Sequence, residues 1–150
     1  MIRQGPLVPP ISIIDAAMIN ELLAHLQTQP AGQTVERIHR ATTNHLIIVA
    51  RDMDAAYAEY SRIIGMATLV RLDLLTGTKG RIEDVVVHPD FQGQGIGKML
   101  MRHVIHEARL GGFESVDLTS HPRREAANCL YQSLGFKPRE TNVYHLELRP

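Results

Sequence analysis

The sequence predicts an α/β (α+β) fold, a mixed sheet flanked by helices, on three observations. Apolar residues recur at helical spacing in separate stretches of the chain. Short β-branched runs bounded by polar residues lie between them, as buried strands do. Their order is helices, three strands able to pair as an antiparallel meander, then helix, strand, helix, strand.

Length and composition limit the alternatives. With 150 residues, 44% of them hydrophobic, the chain suits a single domain spanning residues 1–150. Such a chain buries roughly 70% of its unfolded surface, enough for a core without disulfides or metal. The single Cys129 points to a reducing, cytoplasmic setting. No apolar stretch approaches the roughly 18 residues of a membrane helix, so no membrane partner is expected. Met1 to Pro6 lacks a basic region followed by an apolar core, so no secretory signal is expected. Sixteen basic residues balance 16 acidic ones without a basic tract, which argues against nucleic acid. His103 and His106 share a helix face but lack a third ligand, so no metal is expected there.

Taken in order, Asp15 precedes an amphipathic run (Ala16, Ala17, Ile19, Leu22, Leu23, Leu26) that Pro30 and Gly32 stop. Thr34 to Thr43 suits a second, shorter helix. His45 to Ala50, Ile63 to Leu75 and Arg81 to His88 read as strands. Asp52 to Ser61 reads as a long hairpin connection, and Thr76 to Gly80 as a turn. Ile96, Leu100, Val104 and Ala108 repeat every fourth residue, widened by Met101 and Ile105, and Gly111-Gly112 caps this helix. Phe113 to Thr119 reads as strand, Arg124 to Leu134 as helix closed by Gly135, and Val143 to Leu148 as a last strand.

Chemistry concentrates in Val85-Val86-Val87-His88-Pro89-Asp90-Phe91-Gln92-Gly93-Gln94-Gly95-Ile96-Gly97-Lys98. A strand, a glycine-rich turn and a helix start follow one another there, which is phosphate-binding architecture. Glycines admit a diphosphate close to the backbone, and first-turn N–H groups and the helix dipole attract it. Two nucleotide motifs fail the test. Gln92 stands where a Walker loop needs its first glycine, Met99 where it needs Ser or Thr, and Lys98 where the dinucleotide fingerprint needs its third glycine. A tight turn that is merely glycine-rich is the plain alternative.

The pattern Gln-x-x-Gly-x-Gly at Gln92, Gly95 and Gly97, after Val-Val-Val-His-Pro, resembles the GNAT superfamily of N-acetyltransferases. The resemblance continues through Lys98-Met99-Leu100 and Leu130-Tyr131-Gln132-Ser133-Leu134-Gly135-Phe136, and covers Arg81 to Leu148. It implies a mostly antiparallel sheet of about six to seven strands whose fourth and fifth splay apart around acyl-CoA. By that resemblance Val85, Val86 and Val87 offer the strand edge, and Gln92, Gly93, Gln94, Gly95, Ile96, Gly97 and Lys98 hold the diphosphate. Tyr131 meets the leaving sulfur, and Asn128, one turn earlier, shares its helix face toward the pantetheine arm. Many members carry Asn where Arg124 stands here. Arg123 and Arg124 near the helix start suit a CoA phosphate or plain solvent.

Aminolysis of a thioester needs an oxyanion donor, a deprotonated amine and a proton for the thiolate. A tyrosine with pKa of roughly 10 can supply that proton to a thiolate whose thiol titrates near roughly 8.5. Strand alternation sends Glu83 and Asp84 to opposite faces, so one of them faces the cleft. Gly80 to Val85 looks especially like glucosamine-6-phosphate N-acetyltransferases, and Glu83 is the favoured base, with Asp84 beside the substrate. Tyr144, with Asn142, lies where the last strand borders the acceptor pocket. Cys129 reads as a buried residue, not a nucleophile. The resemblance thus implies transfer from acetyl-CoA to a small-molecule primary amine without metal, and it allows a homodimer. A protein or peptide N-acetyltransferase and a non-turnover acyl-CoA sensor remain the competing readings.

Overall fold

The structure, a computed structural model, describes residues 1–8, 11–26, 32–53 and 61–148. These fall into two units, Met1–Thr119 and Ser120–Pro150. The first contains β1 (Ile2–Pro6), α1 (Ile13–Ala24), α2 (Val35–Asn44), β2 (Leu46–Asp52), β3 (Arg62–Leu74), β4 (Gly77–Val87), a 3₁₀ turn (Pro89–Phe91), α3 (Ile96–Leu110) and β5 (Ser115–Asp117). Its sheet has the order β1-β2-β3-β4-β5, antiparallel except for the parallel pair β4 and β5. The second unit holds α4 (Glu125–Ser133).

Five strands stand among the described residues where six to seven were expected. β1 was not foreseen, because Arg3, Gln4, Gly5 and Pro6 carry no strand signal of their own. It exists by pairing with β2, Gly5 opposite Val49, and its proline sits at the edge of the sheet where no donor is missed. Val143 to Leu148, expected as a strand, has no regular structure. Its alternation is real, yet it joins no ladder among the described residues, and a strand's backbone groups need one. The expected turn at Thr76 to Gly80 shrinks to Leu75 and Thr76, so β4 begins at Gly77, whose φ of +121° suits glycine. β2 and β3 pair with Asp52 opposite Arg62, but most of the connection read between them, residues 54–60, lies outside the described residues, as does Pro30.

α1 starts earlier than Asp15. Ser12 is the N-cap, its hydroxyl accepting the Asp15 N–H at 2.9 Å while the Asp15 carboxylate returns to the Ser12 N–H, a capping box. Thr34 caps α2 in the same way through the Arg37 N–H. Ile19, Leu22 and Ile38 from these helices meet Ile47, Val49, Ile63, Met66 and Val86 on one face of the sheet. α3 covers the other face with Leu100, Met101 and Val104, all fully buried. Gly65 permits that approach, since a Cβ there would stand 3.0 Å from Leu100 Cδ1.

Asp15 also anchors α1 to the sheet through Arg51, Oδ1 to Nη2 at 2.9 Å, both side chains under a third exposed. Burial alone would raise its pKa, but the Ser12 and Arg51 hydrogen bonds and the Arg51 charge lower it on balance. Asp15→Ala is therefore expected to destabilise the fold by about 1–3 kcal/mol at pH 7, for one lost cap and one charge-assisted hydrogen bond. Because the folded-state value is depressed, this contribution is present above the ordinary value of 3.8 and fades as pH falls below it. Urea unfolding at pH 7 and pH 3 checks both; an equal deficit at the two pH values contradicts the assignment.

Candidate active site

β4 carries one residue too many. Met66 pairs with Val86 and Thr68 with Glu83, so Asp84 and Val85 together oppose Ala67, a β-bulge. Asp84 takes φ +52°, the one non-glycine residue with positive φ among those described. Aspartate tolerates that region better than most residues. The bulge corrects the expectation that Glu83 and Asp84 face opposite ways, because both line the same cavity of about 580 Å³.

That cavity has an apolar floor, including Ile38, Ile47 and Met66, and a polar rim of Thr68, Glu83, Asp84, Arg37 and His45. Glu83 is ion-paired with Arg81. The Asp84 carboxylate accepts from the buried Thr68 hydroxyl at 3.2 Å. Asp84 as a residue is exposed, yet crowding around its carboxylate pushes its pKa up, opposed by Thr68, reinforced by the like charge of Glu83 and opposed again by His45; the balance is upward. His45 Nδ1 is buried with no hydrogen-bond partner. Arg37 sits in the first turn of α2, where the helix dipole disfavours a cation, and makes no ion pair among the described residues.

β5 pairs with β4 only from Lys79 to Arg81, so from Ile82 onward the outer edge of β4 has no strand beside it among the described residues. β5 itself ends at Asp117, so the pairing stops where the expected splay would begin. Val86 is buried in the core while Val85 and Val87 are half-buried. At the strand's end Gln92 donates through its side chain to the Val87 carbonyl at 3.0 Å, and Gln94 donates to the Asp90 carbonyl at 3.3 Å. These glutamines brace the turn itself. Gly93 and Gly95 have φ of +76° and +80° with no atom within 4 Å of where a Cβ would sit. Gly95 is the N-cap of α3 and provides no side-chain cap. The helix's own first hydrogen bond comes from Met99, which leaves the N–H groups of Ile96, Gly97 and Lys98 without intrahelical partners. Exposed glycines and uncapped donors fit a diphosphate.

In the second unit Tyr131 is buried against Phe136 in an edge-on ring contact. Desolvation raises its pKa, partly offset by Arg124, which is the N-cap of α4. Asn128 donates to the carbonyls of His121 and Pro122 at 3.1 and 3.3 Å, so its amide ties down the start of α4. Cys129 is exposed, contrary to its reading as buried. Tyr144 is 89% exposed, its hydroxyl 3.4 Å from Asn142 Nδ2. Sequence reasoning missed Thr68, His45 and Arg37, which carry no motif; Arg37 alone left a trace, as a cation in a helix's first turn.

A sheet whose one parallel pair among the described residues ends at Arg81, followed by a left-handed glycine turn on an uncapped helix, is the architecture of the N-acetyltransferase class. Residues 17–136 match the acetyltransferase (GNAT) family model, and the chain belongs to that family. It is 32% identical over 126 residues to the glucosamine 6-phosphate N-acetyltransferase of Trypanosoma brucei brucei, covering 82% of this chain and 83% of that one. It is 34% identical over 92 residues to the ribosomal protein bS18 alanine N-acetyltransferase of Salmonella typhimurium, 61% of this chain and 53% of the other. With an uncharacterized N-acetyltransferase of Gracilaria tenuistipitata it shares 44% over 61 residues, 41% of this chain and 32% of that one. The matched stretch thus spans only a third to a half of these last two relatives. Among solved structures, a Trypanosoma brucei acetyltransferase superposes with TM-score 0.78 at 26% identity, covering 99% and 100% of the two chains.

The upward shift at Asp84 has a consequence for stability. Its folded state holds the proton to higher pH than the unfolded chain, so ionisation costs stability as pH rises. Asp84→Asn keeps an acceptor for Thr68 and tolerates the positive φ. Calorimetric scans should show a higher Tm than wild type at pH 7, with the advantage shrinking toward pH 4. A variant less stable at pH 7 would mean that the carboxylate is favourably held.

Proposed function

We propose that the protein is an acetyl-CoA-dependent N-acetyltransferase that modifies a small primary amine, an amino sugar foremost. The observation that carries this reading is the opening of β4 from β5 at Arg81, followed at once by the uncapped glycine turn. Acetyl-CoA would supply the thioester carbonyl; the chain supplies everything else. Backbone N–H groups of Ile96, Gly97 and Lys98 bind the diphosphate, and the free edge of β4 at Val85 to Val87 aligns the pantetheine arm. On the family motif, Tyr131 gives its proton to the departing sulfur and regains one as the nitrogen sheds its second proton on forming the amide. Its hydroxyl makes no hydrogen bond among the described residues, and its raised pKa keeps it protonated at neutral pH.

The acceptor arrives as an ammonium, since amines titrate near roughly 10.4, and one proton must leave before attack. We assign that proton to Asp84 in place of Glu83. Glu83 is already held by Arg81, whereas the Asp84 carboxylate binds protons more tightly than an ordinary aspartate. A half-open cavity of about 580 Å³ with an apolar floor and a polar rim has the size of a small-molecule site, which favours a small amine. Arg37 on its rim favours an acceptor that carries an anionic group, in keeping with the substrate named for the Trypanosoma brucei brucei relative.

A thiol-release assay with acetyl-CoA and paired neutral and phosphorylated amines tests the reading; acetyl-CoA binding without release for any amine would make the protein a sensor. Asp84→Asn should lower kcat/KM at least ten-fold, more than Glu83→Gln does, and the reverse order would return the base to Glu83. Tyr131→Phe should lower turnover by roughly 10²-fold to 10⁴-fold with acetyl-CoA affinity kept. Gly95→Glu should fold, at a strain of about 1–2 kcal/mol, and fail to bind CoA in calorimetry.

A further inference from the structure

His88 is a buried ionisable side chain that the proposed chemistry does not use. It caps the 3₁₀ turn between β4 and the glycine turn, its Nδ1 lying 3.3 Å from the Asp90 N–H. Its Nε2 lies 3.1 Å from Glu21 Oε1 of α1 and 3.0 Å from Arg62 Nη2 of β3, and those two are themselves ion-paired at 2.8 Å. His25 of α1 and Phe91 of the turn close edge-on against the ring, at 5.4 and 5.9 Å between centroids. The charged or titratable groups facing it are thus Glu21 and His25, Arg62, and Asp90, whose carboxylate is 3.6 Å from Nδ1.

A backbone N–H can only donate, so Nδ1 must accept. The ring proton then sits on Nε2, where Glu21 accepts it; Arg62 Nη2 gains nothing from Nε2 in this tautomer and is held instead by the same Glu21 oxygen at 2.8 Å. A second proton on Nδ1 would face the Asp90 N–H donor to donor and set another cation beside Arg62. Glu21 and the Asp90 carboxylate would welcome that charge, but only with Nδ1 turned from the amide to the carboxylate. The cap would be lost.

We propose that His88 is a positioning residue for cofactor binding: its neutral ring holds the 89–91 turn that presents the glycine turn, and protonation releases it. The link runs through covalent neighbours and two braces, Gln92 to the Val87 carbonyl and Gln94 to the Asp90 carbonyl. The cofactor half of this inference rests on the acetyl-CoA reading above.

Two measurements on the full chain separate the parts. In calorimetry with acetyl-CoA from pH 8 to 5.5, wild type should lose about ten-fold more affinity than His88→Asn, which retains an N-cap acceptor and cannot titrate. His88→Ala should bind weakly throughout. The CoA phosphates titrate alike in every arm, so the difference isolates the side chain. Equal pH dependence in wild type and His88→Asn overturns the proposal. Amide hydrogen exchange of Asp90 to Gly95 in unliganded wild type, corrected for intrinsic rates, should show protection falling on acidification, and His88→Asn should show none of that fall. Flat protection in wild type overturns the positioning role even if His88→Ala fails to fold. Falling protection with no acetyl-CoA binding at any pH upholds the cap and overturns the cofactor reading instead.

Discussion

The extra residue in β4 governs the first unit's chemistry. Up to Ile82 the strand alternates normally, with Ile82 fully buried opposite Leu69 and Glu83 on the cavity side. Without the bulge, Asp84 would follow Ile82 onto the face that α3 covers, where a carboxylate has no partner and its burial is prohibitive. Val86 would likewise leave the core it shares with Ile63 and Met66. The positive φ at Asp84 costs on the order of 1 kcal/mol, and such strain is typical of residues held for function. In return, two adjacent carboxyls address one cavity, Val86 packs inward, and Val87 turns toward α3.

The same strand is shared unequally between its neighbours. β3 holds it over nearly its whole length, whereas β5 touches only Lys79 to Arg81. A fully paired β4 would have no N–H or C=O groups to offer a ligand, and a β4 unpaired on both sides would not be a strand. Past Arg81, β4 therefore keeps β3 on one side and has no strand on the other among the described residues. It feeds directly into a turn whose glycines leave the first amides of α3 uncovered. The network of Glu21, Arg62 and His88 joins α1, β3 and the 3₁₀ turn that leads into the glycine turn.

How much of this the sequence disclosed depends on what binds what. The glycine turn was legible because backbone recognition forces residue types: a left-handed N-cap with nothing beside it is written as Gly95. α3 was legible residue by residue, since Ile96, Leu100, Met101, Val104 and Ala108 all lie buried. β1 was not, because its strand character comes from the ladder it joins and not from Arg3-Gln4-Gly5. Val143 to Leu148 failed for the opposite reason, alternation without a partner.

The acceptor cavity was the least legible part, and the reason is physical. Thr68 comes from β3, Arg37 from α2 and His45 from the cap that ends α2, and they reach the rim by side-chain direction, which depends on register. A bulge shifts register by one, and nothing in Glu83-Asp84-Val85 announces which residue will be the extra one. Family motifs therefore reveal the glycine turn built from backbone, while the direction of the carboxyl at Asp84, on the cavity, follows from the bulge and its positive φ. Residues facing the cavity can therefore change while the glycine turn and the tyrosine motif stay as they are, because Thr68, His45 and Arg37 belong to neither.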